Sequence, residues 1–149
     1  MTRLTETIEV NASPRQLAEY LMDANNIANY FPASNVNVLE STPERARARH
    51  DLAVGGKTTN MVCVLEQTER GRKIRFHTEE GMRLEGTWLL QEIRGGTQVT
   101  CVLEYEPLGG FISRLLDGLT TKKQMQGICT GALKKLKELL EGGEKASEG

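Results

Sequence analysis

The chain has 149 residues, with 19 Lys plus Arg against 20 Asp plus Glu, a formal net charge of -1 and 38% hydrophobic residues. That length suits one domain whose core needs no disulfide or metal to hold it, and the balanced charge excludes the basic footprint of a nucleic-acid binder. Cys63, Cys101 and Cys129 form no C-x-x-C pair and sit among apolar neighbours, as expected of reduced, buried thiols rather than metal ligands.

The opening Met1-Thr2-Arg3-Leu4 starts no apolar leader, and no run approaches the roughly 18 apolar residues of a membrane span. A cytoplasmic protein without stable membrane insertion is therefore expected. Residues 4 to 10 alternate, with Leu4, Ile8 and Val10 on one face and Thr5, Thr7 and Glu9 on the other, the period of a half-buried strand. A helix follows at once. Ser13 is a good N-cap, Pro14 fits the first helical position where a missing N-H costs nothing, and Gln16 sits three residues on, as a capping box requires. Residues 23 to 31 read as a second short helix ended by Pro32, and Leu17, Tyr20, Leu21, Ile27 and Phe31 are expected to pack on the sheet and the C-terminal helix.

Strands then take over. Residues 35–41, 46–54, 57–67, 72–79, 82–93 and 97–106 are rich in Val, Thr, Leu and Ile, and Gly55-Gly56, Arg70-Gly71, Glu80-Gly81 and Gly95-Gly96 supply turns too short for parallel crossovers. Alternation sends Ala46, Ala48, His50, Leu52 and Val54 inward while Arg45, Arg47, Arg49 and Asp51 meet water. Ile74, Phe76 and Thr78 also point inward, as do Met82, Leu84, Gly86, Trp88 and Leu90, then Val99, Cys101, Leu103 and Tyr105. Strand 57–67 carries two apolar rows, Met61-Cys63-Leu65 and Val62-Val64, so either both its faces are covered or a partner hides the outer one.

A long helix is expected from 109 to 141. Its later half carries a stripe of Met125, Cys129, Leu133, Leu136 and Leu140 opposite Lys134, Lys137 and Glu138. The earlier apolar set, Phe111, Ile112, Leu115, Leu116 and Leu119, is rotated from that stripe, which predicts a bend or break near residues 118 to 123 and removes Lys122 from the apolar sector. Residues 142–149 read as a disordered tail, leaving 1–141 as a single domain.

Ile8-Glu9-Val10 with Ala12-Ser13-Pro14, Asn29-Tyr30-Phe31-Pro32, Gly86-Thr87-Trp88, Gly96-Thr97-Gln98-Val99-Thr100 and the final amphipathic helix occur here in order across nearly the whole chain. In these features the chain resembles the START/Bet v 1-like (SRPBCC) superfamily, particularly its polyketide cyclase/dehydrase and coenzyme Q-binding branch. The resemblance implies an α+β helix-grip fold, a curved seven-stranded antiparallel sheet wrapped around a long C-terminal helix in β-α-α-β6-α order. It also implies a cavity for an apolar small molecule, lipid-, quinone- or polyketide-like. Small or polar residues in the inward rows, Ala46, Ala48, His50, Thr78 and Gly86, favour some unfilled volume.

Expected ligand contacts are His50, Met61, Cys63, Phe76, Thr78, Leu84, Trp88, Cys101, Tyr105, Phe111, Leu115 and Leu119, with His50, Tyr105 or Thr78 orienting one polar group. His50 has no carboxylate two residues away on its face, which favours a structural imidazole; if the protein is an enzyme, a cyclase or dehydratase, His50 is its base. His77 faces solvent. Glu6, Glu40 and Glu104 are too scattered for a paired acid/base site, and no G-x-S-x-G, H-E-x-x-H, Walker or Rossmann motif is present. No metal or cofactor is expected. Binding without catalysis is the leading expectation, and an interaction module or homodimer using Val62 and Val64 is a third.

Overall fold

The computed structural model describes residues 2–106 and 118–148. Strand β1 (Thr2–Val10) leads into α1 (Pro14–Met22), a 3-10 turn (Ala24–Asn26) and α2 (Ile27–Tyr30). Six strands follow, β2 (Ala33–Ser41), β3 (Arg45–Val54), β4 (Lys57–Glu69), β5 (Lys73–Glu80), β6 (Leu84–Ile93) and β7 (Gly96–Tyr105), and the chain closes with α3 (Gly118–Glu148). All neighbours are antiparallel, in the order β1-β7-β6-β5-β4-β3-β2. This is the helix-grip architecture expected from the sequence.

Local chemistry fixes the first corner. The Ser13 hydroxyl accepts from Gln16 N at 3.1 Å while the Gln16 side chain accepts from Ser13 N at 2.9 Å, a complete capping box with Pro14 at the first helical position. The Thr97 hydroxyl, fully buried, donates to the Ala12 carbonyl at 2.7 Å and ties the same corner to β7. Beside it, a side chain at Gly96 would collide with the Val10 carbonyl, so only glycine lets β7 start against the end of β1. Leu17, Leu21 and Ile27 join the core, Tyr20 and Phe31 pack half-buried against it, and α1 rests on β6 and β4 while α2 touches α3.

The inward rows fall where alternation put them. Ala46, Ala48, His50, Leu52 and Val54 are buried, as are Ile74, Phe76, Trp88, Leu90, Val99, Cys101, Leu103 and Tyr105. On α3 the buried stripe is Met125, Cys129, Ala132, Leu133 and Leu136, and it lies mainly against β1 and β7. Gln126 Nε2 donates to Glu6 Oε1 at 3.1 Å and Lys137 Nζ to the Glu9 carbonyl at 2.9 Å, locking the helix to that edge strand.

Both faces of β4 are covered, and the cover comes from the sheet itself. Val62 and Val64 are 1% and 0% exposed, opposite Arg49 and Arg47 of β3. Arg47 pairs with Glu79 and Arg49 with Glu80, each at 2.8 Å, so both ion pairs reach from β3 to β5 over the intervening strand. The aliphatic stems of the arginines shield the valines more effectively than half-exposed ion pairs stabilise anything by charge. The homodimer or partner surface expected from Val62 and Val64 therefore loses its basis, because neither side chain is available.

The small inward residues also need correction. A Cβ at Gly86 would collide with the Phe76 ring and the Val102 carbonyl, so the space is filled by Phe76 rather than empty. The helical backbone of α3 runs to Glu148, and Glu144, Lys145 and Ala146 are good helix formers. Residues 109–117 of the expected helix lie outside the described residues, and Lys122 is exposed. Among the described residues no helix is long and apolar enough to cross a membrane. Ser13→Ala removes one half of the capping box and should lower stability by about 1 kcal/mol in urea denaturation, with an unchanged m-value.

Candidate functional site

Between the concave face and α3 lies a buried cavity of about 40 Å³. Ile27 and Tyr30 of α2 and the following Phe31 close one end, and Met125 and Ile128 of α3 form the roof. The floor comes from the inward rows of five strands: His50 and Leu52, Met61, Cys63 and Leu65, Phe76 and Thr78, Leu84 and Trp88, and Leu103. Trp88 is the hub of the aromatic wall. Its ring stands edge-on to Tyr30 at 6.0 Å and tilted to Phe31 at 6.1 Å and Phe76 at 6.2 Å, the offset geometries aromatic quadrupoles favour.

His50, Met61, Cys63, Phe76, Thr78, Leu84 and Trp88 thus meet at one cavity, as the alternation indicates. Cys101 and Tyr105 do not line it. Cys101 lies behind the wall, where the Cys129 thiol of α3 donates to its carbonyl at 4.0 Å, and Tyr105 sits at the far end of β7 opposite Thr2 of β1. Phe111, Leu115 and the side chain of Leu119 lie outside the described residues. Tyr30 is the main addition. It belongs to a four-residue helix with no readable periodicity, and only the Asn29-Tyr30-Phe31-Pro32 signature marks it in sequence.

Few polar groups face this space. The Thr78 hydroxyl donates to the Met82 carbonyl at 2.8 Å and accepts from Leu84 N at 3.1 Å, so it braces the β5–β6 turn and is not free to orient a ligand. Burial pushes the Cys63 thiol up to about 12 and the Tyr30 phenol well above its ordinary range, which keeps both protonated. Tyr30 makes no side-chain hydrogen bond among the described residues.

His50 is 4% exposed. Its Nδ1 lies 3.3 Å from the carbonyl of Asp51, and because a carbonyl can only accept, Nδ1 carries the proton in that contact. Burial lowers the imidazole's proton affinity, opposed by the Asp51 carbonyl and the Asp51 charge. The Asp51 side chain itself points to the other face of the sheet. There it accepts from Asn60 at 3.0 Å and from Asn35 at 2.8 Å, bonds that hold its carboxyl below the usual range. Asn35 reaches it from a bulge in β2 at φ +54°, a left-handed conformation that asparagine tolerates. Glu6, Glu40 and Glu104 engage Gln126, Arg45 and Arg3, away from the cavity. Among the described residues no group of three or more His, Cys, Asp or Glu could hold a metal ion.

Outside the wall runs a surface groove of about 540 Å³, bordered by Pro32, Ala53, Gly55, Gln124, Gly127 and Gly131. Tyr30, Phe31 and Ile128 line both spaces, so the cavity and the groove are separated by a wall one side chain thick.

A His50 held neutral in the fold gives a pH signature. Its folded proton affinity is depressed, so below about pH 6.5 the unfolded chain binds a proton that the native state resists, and stability falls as the pH drops through that region. Urea midpoints measured from pH 7.5 down to pH 5 should decline, and His50→Gln should flatten the decline while leaving the lower-pH loss due to Asp51 in place.

The family model described as polyketide cyclase / dehydrase and lipid transport matches residues 1–141. No curated protein matches the chain in sequence. Among solved structures, TTHA0849 from Thermus thermophilus is 25% identical with a TM-score of 0.83, covering 95% of this chain and 99% of its own. A START superfamily protein from Mycobacterium smegmatis is 16% identical, TM-score 0.74, over 94% of this chain and 97% of its own. The Zhui aromatase/cyclase from Streptomyces sp. R1128 is 16% identical, TM-score 0.70, over 92% and 94%. The last two likenesses show the shared fold alone. With a family match across residues 1–141, the chain belongs to the polyketide cyclase / dehydrase and lipid transport family.

Proposed function

We propose that the protein binds an apolar small molecule, lipid-, quinone- or polyketide-like, in the cavity between the sheet and α3. The observation that carries this reading is the cavity itself: a void walled by five strands and two helices, in which nearly every lining group is aliphatic, aromatic or sulfur-bearing. Each Å² of apolar ligand surface taken from water contributes about 25 cal/mol, so apolar burial is the driving term. At rest the space is smaller than such a ligand. Met61 and Met125 line it, and their unbranched thioethers adapt to new shapes more readily than branched side chains do. Three buried, unpaired cysteines suit a reducing compartment, and a cytoplasmic location fits them.

The family description joins cyclase and dehydrase chemistry to lipid transport, and the site favours carriage. Among the described residues no carboxylate reaches His50, and Thr78 is already committed. One observation supports the second reading, a cyclase or dehydratase. His50 is neutral and among the described residues its Nε2 has no partner, the form a general base needs. Turnover of a polyketide-like substrate that survives His50→Ala intact would dismiss that base.

Trp88 is the sole tryptophan and lies in the cavity wall, so its emission reports occupancy directly. Titration with a medium-chain fatty alcohol or a short-chain quinone should change Trp88 fluorescence saturably. Cys63→Leu, which fills the void, should weaken that binding about tenfold or more while thermal unfolding stays cooperative. An unresponsive Trp88 across lipids, quinones and polyketide-like phenols, with nothing apolar recovered by native mass spectrometry, would overturn the proposal.

A further inference from the structure

The cavity's polar selectivity follows from how His50 is held. Alternation on β3 turns Asp51 away, so the residue next in sequence offers the imidazole its backbone carbonyl and not its carboxylate. That carbonyl fixes Nδ1 as the protonated nitrogen. The other nitrogen, Nε2, is then a lone-pair acceptor on a ring that is 4% exposed, and it has no hydrogen-bond partner among the described residues. In an apolar lining, a ligand that donates to this nitrogen gains a hydrogen bond, whereas one that only accepts sets a second lone pair beside it. Thr78 cannot donate to it, since its hydroxyl proton goes to the Met82 carbonyl, and the Asp51 carboxylate is occupied by two asparagine amides on the opposite face.

We infer that this cavity selects apolar molecules bearing a hydroxyl or phenol, which donate to His50 Nε2, over molecules of the same shape whose oxygen can only accept. The inference rests on the binding reading above and sharpens it. A phenol or alcohol satisfies the imidazole; an ether, or a carbonyl without a hydroxyl, sets a lone pair against a lone pair. In redox terms the site distinguishes a hydroquinone from its quinone, with the reduced form preferred. A carboxylate ligand is disfavoured too, because it brings an unpaired charge into an apolar enclosure with no cation in its lining.

The test compares toluene, p-cresol and 4-methylanisole by calorimetry at neutral pH, on the full chain and on His50→Leu. All three probe the cavity, but only p-cresol donates. The expected result is a p-cresol affinity about tenfold above that of 4-methylanisole, although the anisole is the more apolar, with the preference lost in His50→Leu while toluene binding persists. A second readout needs no variant: nitrogen-15 imidazole spectra of the wild type should show the unprotonated Nε2 resonance of His50 shifting on addition of p-cresol and staying put with toluene. His77, on the outer face, serves as the internal control, and the chain has only these two histidines. Toluene binding with equal affinities for p-cresol and 4-methylanisole, or a His50 resonance indifferent to p-cresol, overturns the selectivity and leaves the binding reading standing. If neither toluene nor p-cresol binds, the binding reading falls and takes this inference with it.

Discussion

A single helix has to cover the hollow of a seven-stranded sheet, and most of the structure answers to that constraint. Six inter-strand steps of about 4.8 Å make a flat sheet close to 29 Å across, whereas a helix with its side chains spans about 10–12 Å. The sheet must therefore curl around the helix, and something else must fill the end the helix does not reach. The buried stripe of α3 lies mainly on β1 and β7, and the pair α1 and α2 supplies the remaining bulk over β4 and β6. What neither covers is the cavity, floored by the middle strands and walled at one end by Tyr30 and Phe31.

The two faces of the sheet solve different problems. Inside, alternating apolar side chains exclude water and leave one imidazole as the chief polar exception. Outside, arginines of β3 and acids of β5 reach across β4 and pair above two valines, so a strand with apolar residues on both faces needs no second layer of protein. His50 and Asp51 show how sharply the pleat separates these regimes. Adjacent in sequence, they share a backbone contact, yet their side chains occupy environments of very different polarity.

The fold was readable because its signals are local or periodic. The capping box at Ser13, the glycine turns and the period-2 rows each require only a short window of sequence, and together they specify the order and faces of the strands. Seven of the expected site residues converge for the same reason, since residues on one face of neighbouring strands share one side of the sheet. The misreadings are all non-local. Gly86 looks like a gap until the ring of Phe76, from the next strand, is seen to occupy it. Val62 and Val64 look exposed until two other strands lend their arginines and glutamates. Thr78 looks free until the turn beyond it claims both functions of its hydroxyl. Tyr30 stands in a helix of four residues, too short to carry a period.

The thin partition between the cavity and the outer groove bears on kinetics. Strand separation would break ladder hydrogen bonds several at a time and exchange a ligand only on the timescale of partial unfolding. Rotation of Phe31 and Ile128 breaks none, and side-chain rotamer changes near a surface occur within nanoseconds. A molecule crossing there would meet a barrier set by the packing of two side chains, so its residence time would depend on how well it fills the interior rather than on the stability of the fold.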